Sequence, residues 1–205
     1  MQWYKDDVKN VIAERQNCPY EPKAIFYGSS SIRLWTNLYE DFEDFKPINL
    51  GFGGSTLAAC VWFFDRIVAP VRHPNTFFLY AGDNDLGDGR HPEEVLIFFR
   101  EFLIKLRQTY PSIPFYFISI KPSLSRMEIF NEIVHANKLI EEEINNRPGN
   151  NFYVNIFDKM LGKDGKPIAS YFQEDGLHLS RDGYIIWREI ILNECLLTSK
   201  LHSPF

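Results

Sequence analysis

Five short runs of the chain are apolar almost without a break: Ala24–Tyr27, Ile48–Leu50, Thr76–Tyr80, Phe115–Ile120 and Phe152–Phe157. They are rich in β-branched and aromatic residues and do not alternate with polar ones. That is the pattern of strands covered on both faces, as in a parallel sheet. Between them apolar positions recur at three- and four-residue steps. In Pro92–Tyr110 these are Val95, Leu96, Phe99, Phe102, Leu103 and Leu106, with Pro92 suited to a first helical turn and Pro111 just past the end. Glu128–Asn145 repeats the pattern through Ile129, Ile133, Ala136, Ile140 and Ile144, and Arg147-Pro-Gly closes it. Val8–Arg15, Leu57–Val68 and Arg181–Leu197 are further predicted helices. Strand alternating with helix, without an internal repeat, low-complexity tract or linker, predicts one three-layer α/β/α domain over residues 1–205.

In sheets of this class ligands bind outside the carboxyl ends of the strands, at the switch in strand order. The segments that follow the strands therefore carry the functional information. They are Gly28-Ser29-Ser30-Ser31, Gly51-Phe-Gly-Gly-Ser-Thr56, Ala81-Gly-Asp-Asn-Asp-Leu86 and Lys121-Pro-Ser-Leu-Ser125, with Glu174-Asp-Gly-Leu-His-Leu-Ser180 ahead of the last helix. Polar and glycine-rich residues thus gather at one end of the sheet.

A serine hydroxyl becomes a nucleophile when a base takes its proton, and a histidine base needs a carboxylate to fix its tautomer. Asp175 and His178 offer both groups on one short loop. An oxyanion hole needs donors aimed at a developing charge. Gly54, whose missing Cβ admits a substrate, offers a backbone N–H, and Asn84 adds a side-chain N–H. Each segment also has a structural reading: Gly28-Ser-Ser-Ser as a helix-capping turn, the glycines as a strand-to-helix turn, and Asn84 as a turn residue bonding its own backbone.

Composition narrows the partners. The formal charge of −5 and the absence of a Lys/Arg block argue against nucleic acid. Aromatic residues reach 16%, so a bulky core is expected. Cys18, Cys60 and Cys195 are far apart and odd in number, with no metal-type spacing, which predicts reduced, buried thiols. The start, Met1-Gln-Trp-Tyr-Lys-Asp-Asp, is acidic where a signal peptide has its apolar stretch, and no run is long enough to span a bilayer. A cytoplasmic protein is the simplest expectation.

Taken in order, these segments resemble the four sequence blocks of the SGNH hydrolases, the GDSL-type esterase and lipase superfamily. Phe26-Tyr-Gly-Ser-Ser-Ser-Ile-Arg-Leu-Trp35 resembles the first block, with the family's Gly-Asp-Ser aligned on Gly28-Ser29-Ser30. Asn49-Leu-Gly-Phe-Gly-Gly-Ser-Thr56 resembles the second, Gly82-Asp-Asn-Asp85 the third, and Asp175-Gly-Leu-His178 the fourth. One departure stands out: position 29 is Ser where the family's commonest pattern has Asp.

The resemblance implies a flavodoxin-like five-stranded parallel sheet and a serine esterase acting on a small-molecule ester. It implies catalytic Ser30, Asp175 and His178, an oxyanion hole from Ser30, Gly54 and Asn84, and no metal or organic cofactor. Ser30 ranks ahead of Ser29, and Ser31 comes last. For substrate, the absence of a long apolar lid favours short acyl groups, such as acetyl on a sugar or small alcohol, over long-chain lipid. Lys121 and Arg126 are expected to border the site as solvated charges. Tyr171 and Phe172 fit either an acyl pocket or the core. Three other readings compete. A lysophospholipase or thioesterase would use the same residues. An α/β-hydrolase would need a G-x-S-x-G elbow that the chain lacks. A flavodoxin-like phosphate-binding module would leave Asp175 and His178 without a purpose.

Overall fold

The structure, a computed structural model, describes residues 1–201. Five parallel strands, β1 (Ala24–Gly28), β2 (Pro47–Gly51), β3 (Thr76–Tyr80), β4 (Phe115–Ile118) and β5 (Asn151–Val154), form one sheet in the order β2-β1-β3-β4-β5. This is the flavodoxin-like order, and it reverses between β1 and β3. The helices are α1 (Lys5–Gln16), α2 (Ser30–Arg33), α3 (Leu38–Asp41), α4 (Leu57–Ile67), α5 (Asp83–Gly87), α6 (Pro92–Thr109), α7 (Phe130–Asn145) and α8 (Arg181–Leu201).

Successive side chains of a strand point to opposite faces of the sheet, and this divides the core in two. Ile25 and Tyr27 of β1, Phe77 and Leu79 of β3, and Phe115 and Phe117 of β4 pack beneath α1, α4, α6 and α7. Their neighbours Ala24, Phe26, Phe78, Tyr80, Tyr116 and Ile118 pack on the other face against α2, α3 and α8, through Ile32, Trp35, Leu38, Tyr184 and Trp187. Both faces are covered, so the strands read as unbroken apolar runs. Phe26 stacks on Phe78, and Phe78 on Tyr116, at centroid distances of 4.4 and 5.1 Å, so the aromatic excess forms the middle of the sheet.

Two strands end earlier than their apolar runs. Past Ile118 the Ser119 N–H still donates to Val154 of β5 at 3.0 Å, but the Asn137 side chain takes both backbone groups of Ile120 at 2.8 Å, and the Ser119 hydroxyl accepts the N–H groups of Ile156 and Phe157. The same serine draws Ile156 and Phe157 out of β5. Ser29 sits at the N-cap of α2, yet its side chain makes no capping bond. All three thiols are free, but only Cys60 is fully buried; Cys18 and Cys195 are half-buried, which corrects the expectation of three buried ones. Among the described residues no helix is long and apolar enough to cross a membrane.

Candidate active site

The carboxyl end of β1 is shaped by contact with β3. Gly28 has φ +138°, and a Cβ there would lie 1.8 Å from the Tyr80 carbonyl oxygen, so no other residue fits. The Ser29 N–H then donates to that same carbonyl at 2.9 Å, and α2 begins at Ser30. The tight turn separates the three serines. Ser29 and Ser31 are buried, and the Ser31 carbonyl accepts the Tyr184 hydroxyl at 3.0 Å. Ser30 is half-exposed, with its Oγ 3.2 Å from His178 Nε2.

His178 and Asp175 lie on the loop before α8. The His178 Nδ1 faces Asp175 Oδ2 at 2.6 Å, while the other carboxylate oxygen accepts the N–H groups of Leu177 and His178, each at 2.9 Å. Burial pushes the Asp175 pKa up, but the hydrogen bonds from the His178 ring and the two backbone N–H groups outweigh it and hold the group at about 2. The carboxylate therefore folds its own loop as well as orienting the imidazole. Gln173 ties the loop from within, donating from its backbone to the His178 carbonyl at 2.8 Å and from its side chain to the Leu179 carbonyl at 3.0 Å. From outside, the Ser125 N–H donates to the Gly176 carbonyl at 3.1 Å, so the segment after β4 does border the site.

A buried carboxylate joins the two halves of this arrangement. Asp41, at the end of α3, accepts from Trp35 Nε1 at 2.8 Å and from both Arg181 guanidinium nitrogens at 2.8 and 3.1 Å. Trp35 belongs to the segment after Ser30, and Arg181 opens the helix after His178. Asp41 thus links the serine side to the histidine side.

The segments after β2 and β3 are also coupled. Gly54 has φ +65°, and among the described residues its N–H donates no hydrogen bond. Asn84 donates one amide hydrogen to the Ser55 carbonyl at 3.0 Å, which leaves its second hydrogen available. Asp85 accepts the Leu57 N–H at 2.7 Å and Arg90 at 2.7 Å, so it fixes the start of α4 to α5. Its burial dominates and raises its pKa despite those partners.

Lys121 is a correction. Expected as a solvated surface charge, it is buried, with Nζ 2.5 Å from Asp83 Oδ2 and 3.1 Å from the Tyr80 hydroxyl. Burial alone would lower its pKa, but the Asp83 charge and Tyr80 overcome that and raise it. Arg126 Nε lies 3.7 Å from the other Asp83 oxygen, and the guanidinium covers Gly87. Asp83 and Asp85 therefore hold the helix that presents Asn84, each through its own cation. Phe172 is buried and pairs with Leu179, and Tyr171 packs on the same cluster, so both belong to the core and not to an acyl pocket. Sequence reasoning missed Tyr4 and Asp7, which bond the Gly53-Gly54 turn. Among the described residues no group of three or more His, Cys, Asp or Glu could hold a metal ion.

No family model and no curated protein matches the chain. Solved structures do. A protein from Streptococcus pneumonia designated a platelet activating factor is 21% identical, with a TM-score of 0.81 over 94% of each chain. A GDSL-like lipase from Bacteroides thetaiotaomicron VPI-5482 is 20% identical, with a TM-score of 0.71 over 93% of this chain and 95% of that one. An acetyl esterase, solved as a serine-to-alanine mutant with an acetate ion, is 13% identical, with a TM-score of 0.66 over 88% of this chain and 99% of that one. The chain has the fold of the GDSL-type hydrolase structures.

Proposed function

We propose that the protein is a serine hydrolase of carboxylic esters, with Ser30 as nucleophile, His178 as base and Asp175 as the residue that orients it. The observation that carries this reading is the pair of hydrogen bonds from Ser30 Oγ to His178 Nε2 (3.2 Å) and from His178 Nδ1 to Asp175 Oδ2 (2.6 Å). The carboxylate holds the Nδ1–H tautomer, so Nε2 is the acceptor for the serine proton.

In the first half-reaction Ser30 Oγ attacks the ester carbonyl carbon, and its proton passes to His178 Nε2. The carbonyl π pair moves onto oxygen, where the N–H groups of Ser30, Gly54 and Asn84 stabilise it. As that pair returns, the bond to the alkoxy oxygen breaks, and His178 gives its proton to the departing alcohol. Water then gives a proton to His178 and attacks the acyl-serine. Collapse releases the acid and returns the proton to Ser30. No step calls on a metal or organic cofactor.

For substrate, short acyl esters fit best, acetyl esters of a sugar or small alcohol foremost. Among the described residues the connections around the site carry no long apolar lid, and a structural neighbour is an acetyl esterase solved with acetate. Longer acyl chains, as in a lysophospholipase or thioesterase, are the second reading. It draws on Leu124 and Met127, which stand 39% and 41% exposed beside the segment that braces the His178 loop. A fluorophosphonate probe should label the wild type and Ser29→Ala but not Ser30→Ala. Labelling that persists in Ser30→Ala moves the nucleophile, and a wild type inert to both the probe and p-nitrophenyl acetate removes the enzyme reading. A series of p-nitrophenyl esters of rising chain length separates the two substrate classes.

A further inference from the structure

The oxyanion loop contains two adjacent glycines, Gly53 and Gly54, and a peptide between two glycines is the least hindered that a chain can offer. If that unit rotated, the Gly54 N–H would turn away and the Gly53 carbonyl oxygen would replace it. Such a rotation would put a partial negative charge where an oxyanion must form.

The structure anchors both flanking units from the N-terminal segment. The Gly53 N–H, in the unit before, donates to Asp7 Oδ2 at 2.8 Å. The Gly54 carbonyl, in the unit after, accepts the Tyr4 hydroxyl at 3.0 Å. The middle unit, which carries the Gly54 N–H, hangs between two fixed neighbours. Two further details fit. A Cβ on Gly53 would come within 2.8 Å of the Asp7 carboxylate, so glycine is needed there for the anchor to reach. Gly54 has nothing within 4 Å of a Cβ position, so its requirement is the φ of +65° that the anchors impose. Tyr4 is held firmly, its ring packed edge-on to Phe52 at 5.5 Å and to Phe63 at 6.1 Å.

We infer that Tyr4 and Asp7 are positioning residues for the oxyanion hole, locking the Gly53–Gly54 peptide with its N–H toward the substrate. The inference rests on the serine-hydrolase reading. Neither residue touches the substrate; each acts through the loop. The N-terminal segment thereby becomes part of the catalytic apparatus, although it is the element furthest in sequence from His178.

Steady-state hydrolysis of p-nitrophenyl acetate by Tyr4→Phe, Asp7→Ala, Asp7→Asn and Ser30→Ala tests it, with melting curves alongside. Tyr4→Phe keeps the ring packing and removes only the hydroxyl. Asp7→Ala removes the acceptor, and Asp7→Asn retains an amide oxygen that can accept the same N–H. Asp6→Asn, on the exposed side of the same turn, is the control. Tyr4→Phe and Asp7→Ala should each lower kcat about tenfold with KM within about twofold, short of the hundredfold or more that losing an oxyanion donor itself costs. Asp7→Asn should recover most of that loss.

An unchanged kcat in both Tyr4→Phe and Asp7→Ala, with Ser30→Ala inactive, overturns the inference and leaves the hydrolase reading standing. So does a loss that tracks unfolding, with Asp7→Asn no better than Asp7→Ala. Hydrolysis that survives in Ser30→Ala removes both.

Discussion

Replacing Lys121 with methionine keeps the apolar stem of the side chain and deletes its ammonium group. Lys121 and Asp83 are only 2% and 5% exposed, so the deletion leaves a carboxylate facing protein and not water. Among the described residues Asp83 Oδ1 has no hydrogen-bond partner even in the wild type, and Oδ2 loses the 2.5 Å contact that satisfied it. Arg126 Nε, 3.7 Å away, is too distant to donate a hydrogen bond, and it screens the charge only in part. Tyr80 loses the donor to its hydroxyl as well. Breaking a buried pair from one side costs about 3–5 kcal/mol, and these details place the loss near the middle, at about 4 kcal/mol. For a chain of this size each kcal/mol moves Tm by about 2–4 °C, so the melting point should fall by about 12 °C.

Thermal unfolding by circular dichroism measures the fall, and a second variant isolates the cause. Lys121→Met combined with Asp83→Asn removes the stranded charge and should recover more than half of the loss. The pH dependence has a definite sign. The folded-state pKa of Lys121 is raised, so the pair's stabilisation is complete below the unfolded value of about 10.4 and is lost only as pH rises through the folded one. The difference between wild type and Lys121→Met should therefore stay constant from about pH 6 to about pH 9. A Lys121→Met protein that melts within about 2 °C of wild type, or a double variant no more stable than the single, would refute the account of a dry, mutually dependent pair.

Under the proposed mechanism, mild acid should not act through Asp175. The Asp175 carboxyl, held at about 2, keeps its charge at any pH where the protein is assayed. Asp175→Asn, which deletes that charge, should therefore lower kcat at every assay pH, and a variant as fast as wild type counts against the orienting role. Gly28→Ala should be among the most damaging single substitutions, since its Cβ would meet the Tyr80 carbonyl of the central strand at 1.8 Å. Denaturant unfolding should show a loss of about 4 kcal/mol or a failure to fold, and a stability near that of wild type would mean the turn has another conformation.

The sequence made the layers readable because both faces of this sheet are covered: continuous apolar runs could only be buried strands, and the intervening periodic segments could only be their covers. It also located the polar segments at one end, since each begins where an apolar run stops. Strand ends were less legible. Ile120, Ile156 and Phe157 are as apolar as the residues before them, and distant side chains take them from the ladder: Asn137 bonds Ile120, and the Ser119 hydroxyl reaches Ile156 and Phe157 across 37 and 38 residues. Lys121 was misread for a related reason. A lysine just past a strand looks solvated unless its partner is known, and Asp83 lies 38 residues earlier, at the start of α5 just past the neighbouring strand. In a parallel sheet the residues that follow adjacent strands meet side by side although they are far apart in the chain. The same rule brings Ser29 to Tyr80, whereas Asn84 reaches Ser55 and Asp85 reaches Leu57 across the end of β1, which lies between β2 and β3. It also explains how three identical serines come to differ. Composition and capping preference treat Ser29, Ser30 and Ser31 alike, but the clamp of Gly28 against Tyr80 sets the rotation of α2. That rotation buries the first and third and turns the second toward His178.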